Sequence, residues 1–429
     1  MFQKFKYRAI ASLFAAVILF ASCDKSNDSD DVQEALLITA FSFEGQDGKA
    51  QIDSNRHSIK INAKCGTDLA AITASFTLSP EGIRAKVEGV PQTSGESVLD
   101  FSAKPVVYTL TSADGKTTVD WEITVVLPDN CPALMTVNLQ KRDRNGTAEQ
   151  FVEKWNPLET AIIVIDMWST QTWETCAHNA VREEQLSVAM NGVFDVARDK
   201  GILVVFAPST EAAQFDKWYG NLPARKTSEK YRHGYGNPAH WDYWWHGKGG
   251  EREVSGLAFP GEKDAFGWPS ICQDCPEKIK MDEEQPPQIK TLKIDDRDII
   301  TDDFIEMIGG KDKFNGKLYD ECLFKERGIK NVIITGCHTD ICIIGRPFAC
   351  RALKVAGYNA VICRDLTNSS SDYNCANHNK NKPTHIEYTA NLCNYIETWI
   401  CPSITSTEIT GKPAFEFDEE EVFQKYPVN

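Results

Sequence analysis

The feature that most constrains the fold is a series of apolar runs that alternate with helical stretches between residues 132 and 405. The runs read TAIIVIDMW, GILVVFAPS, NVIITG and NAVICRD, and the last helical stretch is the amphipathic HIEYTANLCNYIETWI. Continuous apolar strands that alternate with helices are typical of a parallel sheet covered on both faces. The pattern therefore predicts a three-layer α/β/α domain whose functional groups collect beyond the carboxyl ends of the strands.

Residues 38–128 follow a different pattern, with short runs of β-forming residues between turn residues and no helical period. The runs ITAFSF, SIKINA, AITASFTLS and VVYTLTS are examples, and Asp114-Gly115 lies between two such runs as a hairpin signal. About 90 residues of short strands predict an all-β, Ig-like sandwich. This segment contains no cluster of catalytic side chains, so we expect it to be a spacer or an assembly module.

The first residues read as an export signal. Lys4, Lys6 and Arg8 precede the apolar stretch AIASLFAAVILFA, which is too short for a mature membrane span. Residues 1–23 resemble a bacterial lipoprotein signal that ends in a lipidated Cys23, followed by an acidic tether over residues 24–37. The alternative is an ordinary secretory signal in which Cys23 is incidental. The lipoprotein interpretation predicts attachment to the outer membrane of the cell envelope through the lipid alone.

The composition narrows the classes of partner. The net charge of −15 argues against binding to nucleic acid or to an anionic membrane surface, because both need clustered Lys and Arg. The chain has 14 cysteines, a high count for an exported protein in which disulfides can form. With Cys23 set aside the number is odd, so complete pairing would leave at least one thiol free. The sequence does not determine the pairing.

Two strand ends carry residues suited to nucleophilic chemistry. Asp166 terminates the run AIIVID, and the turn from Gly336 to Cys342 reads GCHTDIC after the run NVIIT. A thiol activated by a neighbouring carboxylate, cation or helix start can attack a carbonyl, and turn amides can stabilise the resulting oxyanion. The structural alternatives are a core cysteine and a helix-capping aspartate. Pro347 predicts that the following helix begins near it, which would leave Cys342 on the preceding turn.

The segments AIIVIDMW, ERGIKNVIITGCHTDICIIGRPF and GYNAVICRDLT resemble the isochorismatase-like cysteine hydrolases, the superfamily that includes nicotinamidases, over roughly residues 145–405. The resemblance implies that Asp166 is the general base, that Cys342 is the nucleophile, and that a non-proline cis peptide joins Cys337 to His338. It also implies hydrolysis of an amide or related C–N bond of a small molecule through a thioester-type intermediate, with no organic cofactor. Members of the superfamily are often dimers or larger, so the resemblance leaves a homo-oligomer open.

The family pattern requires a lysine between Asp166 and Cys342 in the chain. Lys293, which ends the run IKTLK, is favoured over Lys290, although the aromatic residue usual after this lysine is missing. A third reading is that neither lysine is catalytic. The candidate residues for substrate or oxyanion binding are Cys337, His338, Thr339, Ile341, Trp168 and Arg346.

His338 replaces the small or acidic residue usual in this turn, and either a substrate contact or a local hydrogen bond would explain it. We expect no metal site, because the spacing of His233, His240 and His246 matches no standard ligand set. The aromatic residues at 241–245 suggest a pocket wall, and residues 406–429 are expected to form a tail. Two alternative functions remain: a surface binding protein without turnover, and a structural component of a surface assembly.

Overall fold

The computed structural model describes residues 35–103, 105–167, 175–208, 217–232, 277–279, 291–302, 305–311, 318–369, 380–381 and 383–427. Residues 1–34, including Cys23 and the predicted export signal, lie outside these ranges. Among the described residues, no helix combines the length and the apolar character that a bilayer crossing requires.

The N-terminal region is all β, as the sequence predicts. Its strands are β1 Leu37–Phe43, β2 Gln46–Asp53, β3 Ser58–Ala63, β4 Ile72–Ser79, β5 Arg84–Val87, β6 Val90–Pro91, β7 Val98–Leu99, β8 Val106–Thr111 and β9 Thr118–Val126. They form a three-stranded sheet, β1-β4-β7, and a six-stranded sheet, β2-β3-β9-β8-β5-β6. The inward side chains of both sheets share one apolar core, in which Trp121 donates its indole N–H to the Leu36 carbonyl at 3.1 Å. The predicted hairpin joins β8 to β9, with Gly115 at φ 78°.

The second region contains the remaining strands and helices. Its strands are β10 Met135–Arg142, β11 Ala148–Trp155, β12 Thr160–Ile165, β13 Thr175–Cys176, β14 Leu203–Ala207, β15 Lys278–Ile279, β16 Ile299–Ile300, β17 Gly310–Lys311, β18 Leu318–Tyr319, β19 Asn331–Cys337, β20 Asn359–Asn368 and β21 Ser403–Ile404. Its helices are α1 Ala177–Lys200, α2 Pro223–Lys226, α3 Leu323–Glu326, α4 Cys342–Gly345, α5 Cys350–Ala356, α6 His385–Trp399, α7 Thr407–Thr410 and α8 Glu419–Lys425.

The main sheet of this region has the strand order β11-β10-β21-β20-β19-β12-β14-β16. The pairs from β21 to β16 are all parallel, which confirms the predicted parallel arrangement for β12, β14, β19 and β20 and adds the short strands β16 and β21. The strands β10 and β11 add an antiparallel hairpin at one edge, which the sequence analysis did not predict. The tight Asp143–Thr147 turn that joins them explains why these two strands run antiparallel.

Two apolar layers cover the two faces of this sheet, because successive residues of a strand point to opposite faces. On β12, Ile163 and Ile165 pack into a layer that includes residues of α5 and α6. Ile162 and Val164 pack into the opposite layer, which includes residues of α1. The expected α/β/α fold is therefore confirmed, and it explains why β12 is buried at every position.

Residues 406–427 pack against the α/β domain and do not form a tail. Ile409 of α7 and Val422 of α8 are fully buried. The fully buried Arg182 of α1 donates two hydrogen bonds of 2.7 Å to the carboxylate of Glu419, at the start of α8. The domain boundary predicted at residue 405 is thus corrected, because the apolar side of the last helices completes the layer over α1.

A disulfide joins Cys65 of the sandwich to Cys131, in the segment between the two regions. Cys176 is also disulfide-bonded. The described cysteines that are free thiols are Cys322, Cys337, Cys342, Cys350, Cys363, Cys393 and Cys401.

Candidate active site

The strand register brings two of the predicted functional segments together. In the parallel pair β12/β19, Ile165 lies opposite Gly336, so Asp166 and the turn from Cys337 to Cys342 leave the sheet at the same edge. Gly336 has a φ of 105°, and a Cβ built on it would lie 2.0 Å from the Ile165 carbonyl oxygen. Only glycine allows this close approach, so the first residue of the GCHTDIC turn is required for packing.

Asp166 is buried beside an arginine. It is 4% exposed and has a φ of 44°, a left-handed conformation uncommon for a residue other than glycine. Its Oδ2 lies 3.4 Å from Nη1 of the fully buried Arg346, which also donates from Nη2 to the Pro208 carbonyl at 2.7 Å. Asp166 Oδ1 accepts no hydrogen bond of standard geometry from a described residue. The carboxylate therefore has one oxygen held by a cation and one available to accept a proton.

Cys342 is the first residue of α4 and is partly exposed, unlike the other free thiols described. Burial by its surroundings and the negative charge of Asp166 raise the pKa of the Cys342 thiol well above its ordinary value, and the positive charge of Arg346 partly opposes this shift. At neutral pH the resting group is therefore the thiol, and a thiolate forms only when a base takes the proton. The sequence predicts that the next helix begins near Pro347. In the structure α4 ends before Arg346, and the next helix, α5, begins at Cys350.

The turn before Cys342 contains the expected cis peptide between Cys337 and His338. Most of its amides are already used within the protein: Thr339 N–H donates to the Asn368 carbonyl at 2.9 Å, and Ile341 N–H donates to the His338 carbonyl at 3.0 Å. The Cys342 amide, in contrast, donates to no described residue. The hydrogen bonds of Thr339 and Ile341 argue against their assignment as oxyanion donors and favour the Cys342 amide.

His338 and Cys337 point into the protein. His338 Nε2 lies 2.9 Å from Oε1 of Glu183 on α1, and the carboxylate raises the pKa of the imidazole against the opposing effect of burial. Cys337 Sγ lies 3.6 Å from Met167 Sδ. All four side chains are buried. Of the two explanations considered for His338, the structure favours the local hydrogen bond, and it places Cys337 away from solvent.

Lys293 does not join this site. Its side chain is exposed, its N–H donates to Asn191 Oδ1 at 2.8 Å, and its carbonyl accepts from Arg198 near the end of α1. These contacts place it before the amino end of β16, at the edge of the sheet opposite Asp166. The assignment of Lys293 as the catalytic lysine is corrected for this reason, since the adjacent Leu292 takes the buried position.

The carboxyl end of β16 is followed by Thr301 and Asp302 and carries no lysine at either position. Asp302 is buried and forms ion pairs with Arg225 and with Arg232, the latter at 2.9 Å. Within the described residues, the cation that contacts Asp166 is Arg346. Several candidates fall outside the described ranges: Trp168, Lys290, His233, His240, His246 and the aromatic residues at 241–245.

Sequence reasoning missed Glu183, which lies in the helical stretch VREEQ among other charged residues and carries no local signal of burial. It also missed the role of Arg346, which was expected to bind substrate but is fully buried against Asp166. A signal for Arg346 existed in its position four residues after Cys342, which is one helical turn from the candidate nucleophile.

Comparisons with known proteins give separate results for the two regions. Residues 38–125 match the family model described as SGBP, N-terminal. No curated protein matches the chain.

Several solved structures resemble parts of the chain. A cysteine hydrolase from Pseudomonas syringae has 15% identity and a TM-score of 0.31, and the match covers 60% of this chain and 95% of that one. The N-carbamoylsarcosine amidase of Thermoplasma acidophilum has 12% identity and a TM-score of 0.27, with 58% and 96% covered. A suspected glycoside hydrolase from Bacteroides thetaiotaomicron has 19% identity and a TM-score of 0.19, and the chain spans 40% of that protein's length. At these TM-scores the similarities carry no argument about chemistry, which must come from the site itself.

Proposed function

We propose that this chain is a cell-envelope hydrolase that uses Cys342 to attack an amide or related C–N bond of a small molecule, as isochorismatase-like cysteine hydrolases do. The observation that carries the proposal is the grouping of Asp166, Arg346 and the partly exposed Cys342 at the carboxyl edge of a parallel sheet. In such sheets this edge is the usual place for a ligand.

In the proposed reaction, the Cys342 thiol gives its proton to Asp166 as the sulfur attacks the carbonyl carbon. The Cys342 amide stabilises the oxyanion, and Asp166 returns the proton to the leaving nitrogen as the C–N bond breaks. Water then hydrolyses the thioester, with Asp166 as the base again. The scheme needs no organic cofactor.

Arg346 takes the place of the expected lysine in this proposal. Its guanidinium holds one carboxylate oxygen of Asp166 and lowers the pKa of Cys342, against the effects of burial and of Asp166. Because an arginine stays protonated, it supplies a fixed positive charge but cannot itself exchange the proton. The proton transfer therefore depends on Asp166 alone.

A second candidate function is surface binding of a glycan without turnover. The match of residues 38–125 to the SGBP family model favours it, since SGBP denotes surface glycan-binding proteins. A high pKa for Cys342 is also compatible with an inert thiol. Both candidates are compatible with the cell-envelope location that the predicted export signal and the proposed lipidation at Cys23 imply.

The test separates thiol reactivity from turnover. Asp166→Asn removes the negative charge that raises the pKa of Cys342, so alkylation of Cys342 at pH 7 should become faster, measured by peptide mass mapping. The same substitution removes the base, so turnover of a panel of small carboxamides should fall by about 10²- to 10⁴-fold. The conservative variant Arg346→Lys keeps the positive charge and should therefore retain more activity than Arg346→Met.

Cys342→Ala is the control for the panel, and Cys363, buried on β20, is the control thiol for alkylation. If an active preparation keeps its turnover in Cys342→Ala, the hydrolase proposal fails. If no carboxamide is turned over and soluble polysaccharides bind equally to the wild type and Cys342→Ala, the binding function takes its place.

A further inference from the structure

We propose that Glu183, Cys337 and His338 form a binding site for one Zn²⁺ ion behind the turn that presents Cys342. These residues offer a carboxylate, a thiol and an imidazole whose ligand atoms all lie within 4.8 Å of one another. The proposal does not depend on the hydrolase function, because none of the three side chains is a reacting group in it.

The first argument is an unused acceptor inside the cluster. Glu183 is 2% exposed, and its Oε1 contacts His338 Nε2 at 2.9 Å and Asn179 Nδ2 at 3.2 Å. Its Oε2 is buried and accepts no hydrogen bond from a described residue. A buried carboxylate oxygen without a partner is costly, and a metal ion would satisfy it.

The second argument is the match between the donor set and the ion. Zn²⁺ binds thiolate sulfur, imidazole nitrogen and carboxylate oxygen in tetrahedral sites, whereas Mg²⁺ and Ca²⁺ prefer oxygen alone. Binding would release the proton of Cys337, and the thiolate and carboxylate would then balance the two charges of the ion. The buried cluster would thus hold a cation with no net charge. Met167 Sδ, 3.6 Å from Cys337 Sγ, closes one side of the cluster with a further soft atom.

The third argument is the support behind the ligands. Asn179 orients Glu183, and its own Oδ1 accepts from Asn368 Nδ2 at 2.7 Å. Metal ligands are commonly held by such hydrogen bonds. An ion at about 2.0–2.1 Å from its ligands would lie between His338 Nε2 and Glu183 Oε2, and Oε1 would keep its hydrogen bond from Asn179.

The site would stabilise the active-site turn. The His338 carbonyl accepts the N–H groups of Ile341 and Ile343, on either side of Cys342. A metal bound to the His338 side chain would therefore fix the residue on which this turn is built.

The test uses Co²⁺ as a spectroscopic substitute for Zn²⁺. The full chain is produced in cobalt-supplemented medium, so that the buried site fills during folding, and metal content is measured together with the near-ultraviolet absorption of a thiolate–Co²⁺ bond. The wild type should show this band with one equivalent of metal more than Cys337→Ser. Glu183→Gln should weaken Zn²⁺ binding by at least about tenfold. The matched control Cys363→Ser replaces another buried strand cysteine and should leave both readouts unchanged.

Circular dichroism of each variant verifies that it folds. If Cys337→Ser does not fold, Glu183→Gln still tests the proposal. Metal content and absorption that are equal in wild type, Cys337→Ser and Glu183→Gln would overturn the proposal. Cys272 and Cys275, in the sequence CQDC, have the spacing of half a zinc site. A band that persists in Cys337→Ser but disappears after substitution of Cys272 and Cys275 would also overturn the proposal, because the metal would then be bound elsewhere.

Discussion

The residues around Asp166 show how single side chains define this site. Asp166 and Arg346 are separated by 180 positions, and the arginine that contacts the carboxylate lies directly after the end of α4 at Gly345. A fixed cation next to a proton acceptor is a different arrangement from a lysine, whose pKa can shift on burial. We therefore expect substitution of Asp166 to lower the proposed activity more than substitution of Arg346.

Gly336 provides a prediction at this scale. In Gly336→Ala, the new Cβ would collide with the backbone of β12 in a left-handed conformation, so the two central strands would have to separate. We expect a loss of about 4 kcal/mol or more in the free energy of unfolding of the α/β domain, measured by urea titration. Gly357→Ala is the control: its φ is 88° but its Cβ would meet open space, so we expect only about 1–2 kcal/mol. Equal losses in the two variants would contradict the close approach.

His385 provides a pH prediction. Burial, with the positive charges of Arg182 and His338, lowers the pKa of His385 well below its ordinary 6.5. The unfolded chain therefore binds a proton near pH 6.5 that the folded chain does not, and the stability contributed by the neutral ring is lost as the pH falls below 6.5. In His385→Gln, the loss of stability relative to the wild type should be smaller at pH 5 than at pH 7.5, measured by thermal unfolding. A difference in stability between the wild type and His385→Gln that stays constant from pH 5 to pH 7.5 would contradict the lowered pKa of His385.

At the scale of elements, a buried carboxylate connects the antiparallel edge of the main sheet to the neighbouring strands and helix. The hairpin of β10 and β11 extends the sheet beyond β21, and residues of α6 and β20 bind to it through the buried Glu397, which accepts from Arg142 and Arg364 at 2.8 Å each. This carboxylate also accepts from Ser403. The network joins four elements, so the antiparallel addition is an integral part of the α/β domain.

The C-terminal helix α8 offers a test of docking. Glu419→Gln removes the negative charge of the carboxylate that accepts two hydrogen bonds from the fully buried Arg182. Because Glu419 is itself 27% exposed, we expect a loss of about 1–3 kcal/mol, below the range for a fully buried pair. The measurement is the urea midpoint, together with protease release of the last residues. Glu421→Gln, which alters an exposed contact with Gln185, should change stability by no more than about 0.5 kcal/mol. Equal effects would show that α8 is not held by Arg182.

At the scale of the whole molecule, the disulfide between Cys65 and Cys131 fastens the sandwich to the segment that enters the α/β domain. Nearby, Lys154 pairs with Asp68 at 2.9 Å, and Asn156 donates to the Cys65 carbonyl at 3.2 Å. The contacts on both sides of the disulfide define how the two regions meet.

The double variant Cys65→Ser/Cys131→Ser tests this connection. The bond spans 66 positions, and a loop of this size contributes about 4 kcal/mol in the chain-entropy account. We expect calorimetry to show a lower unfolding temperature for the sandwich with little change for the α/β domain. An unchanged unfolding temperature for the sandwich, or an equal decrease for the sandwich and the α/β domain, would contradict an effect confined to the sandwich.

Local pattern determined much of this architecture. The two sheets of the sandwich, the Asp114-Gly115 hairpin, the four parallel strands β12, β14, β19 and β20 and the position of Cys342 after a strand all follow from local runs, as do the helical stretches α1 and α6. These features are readable because burial on one or both faces of a strand dictates which residues are apolar, and because turn chemistry is local. The cis peptide before His338 was expected from resemblance, and the structure contains it.

Contacts between distant residues were decided by the tertiary structure. Lys293 faces solvent because Leu292 occupies the buried position beside it, and Arg346 becomes the cation next to Asp166. Glu183 meets His338 across 155 positions, although its helical neighbours give no sign of burial. Sequence by itself predicted the central strands, their parallel direction and the presence of a thiol and a carboxylate at their ends. Which charged side chains surround that pair depends on how α1, α4 and the sheet pack, and this is a property of the folded chain that no local pattern contains.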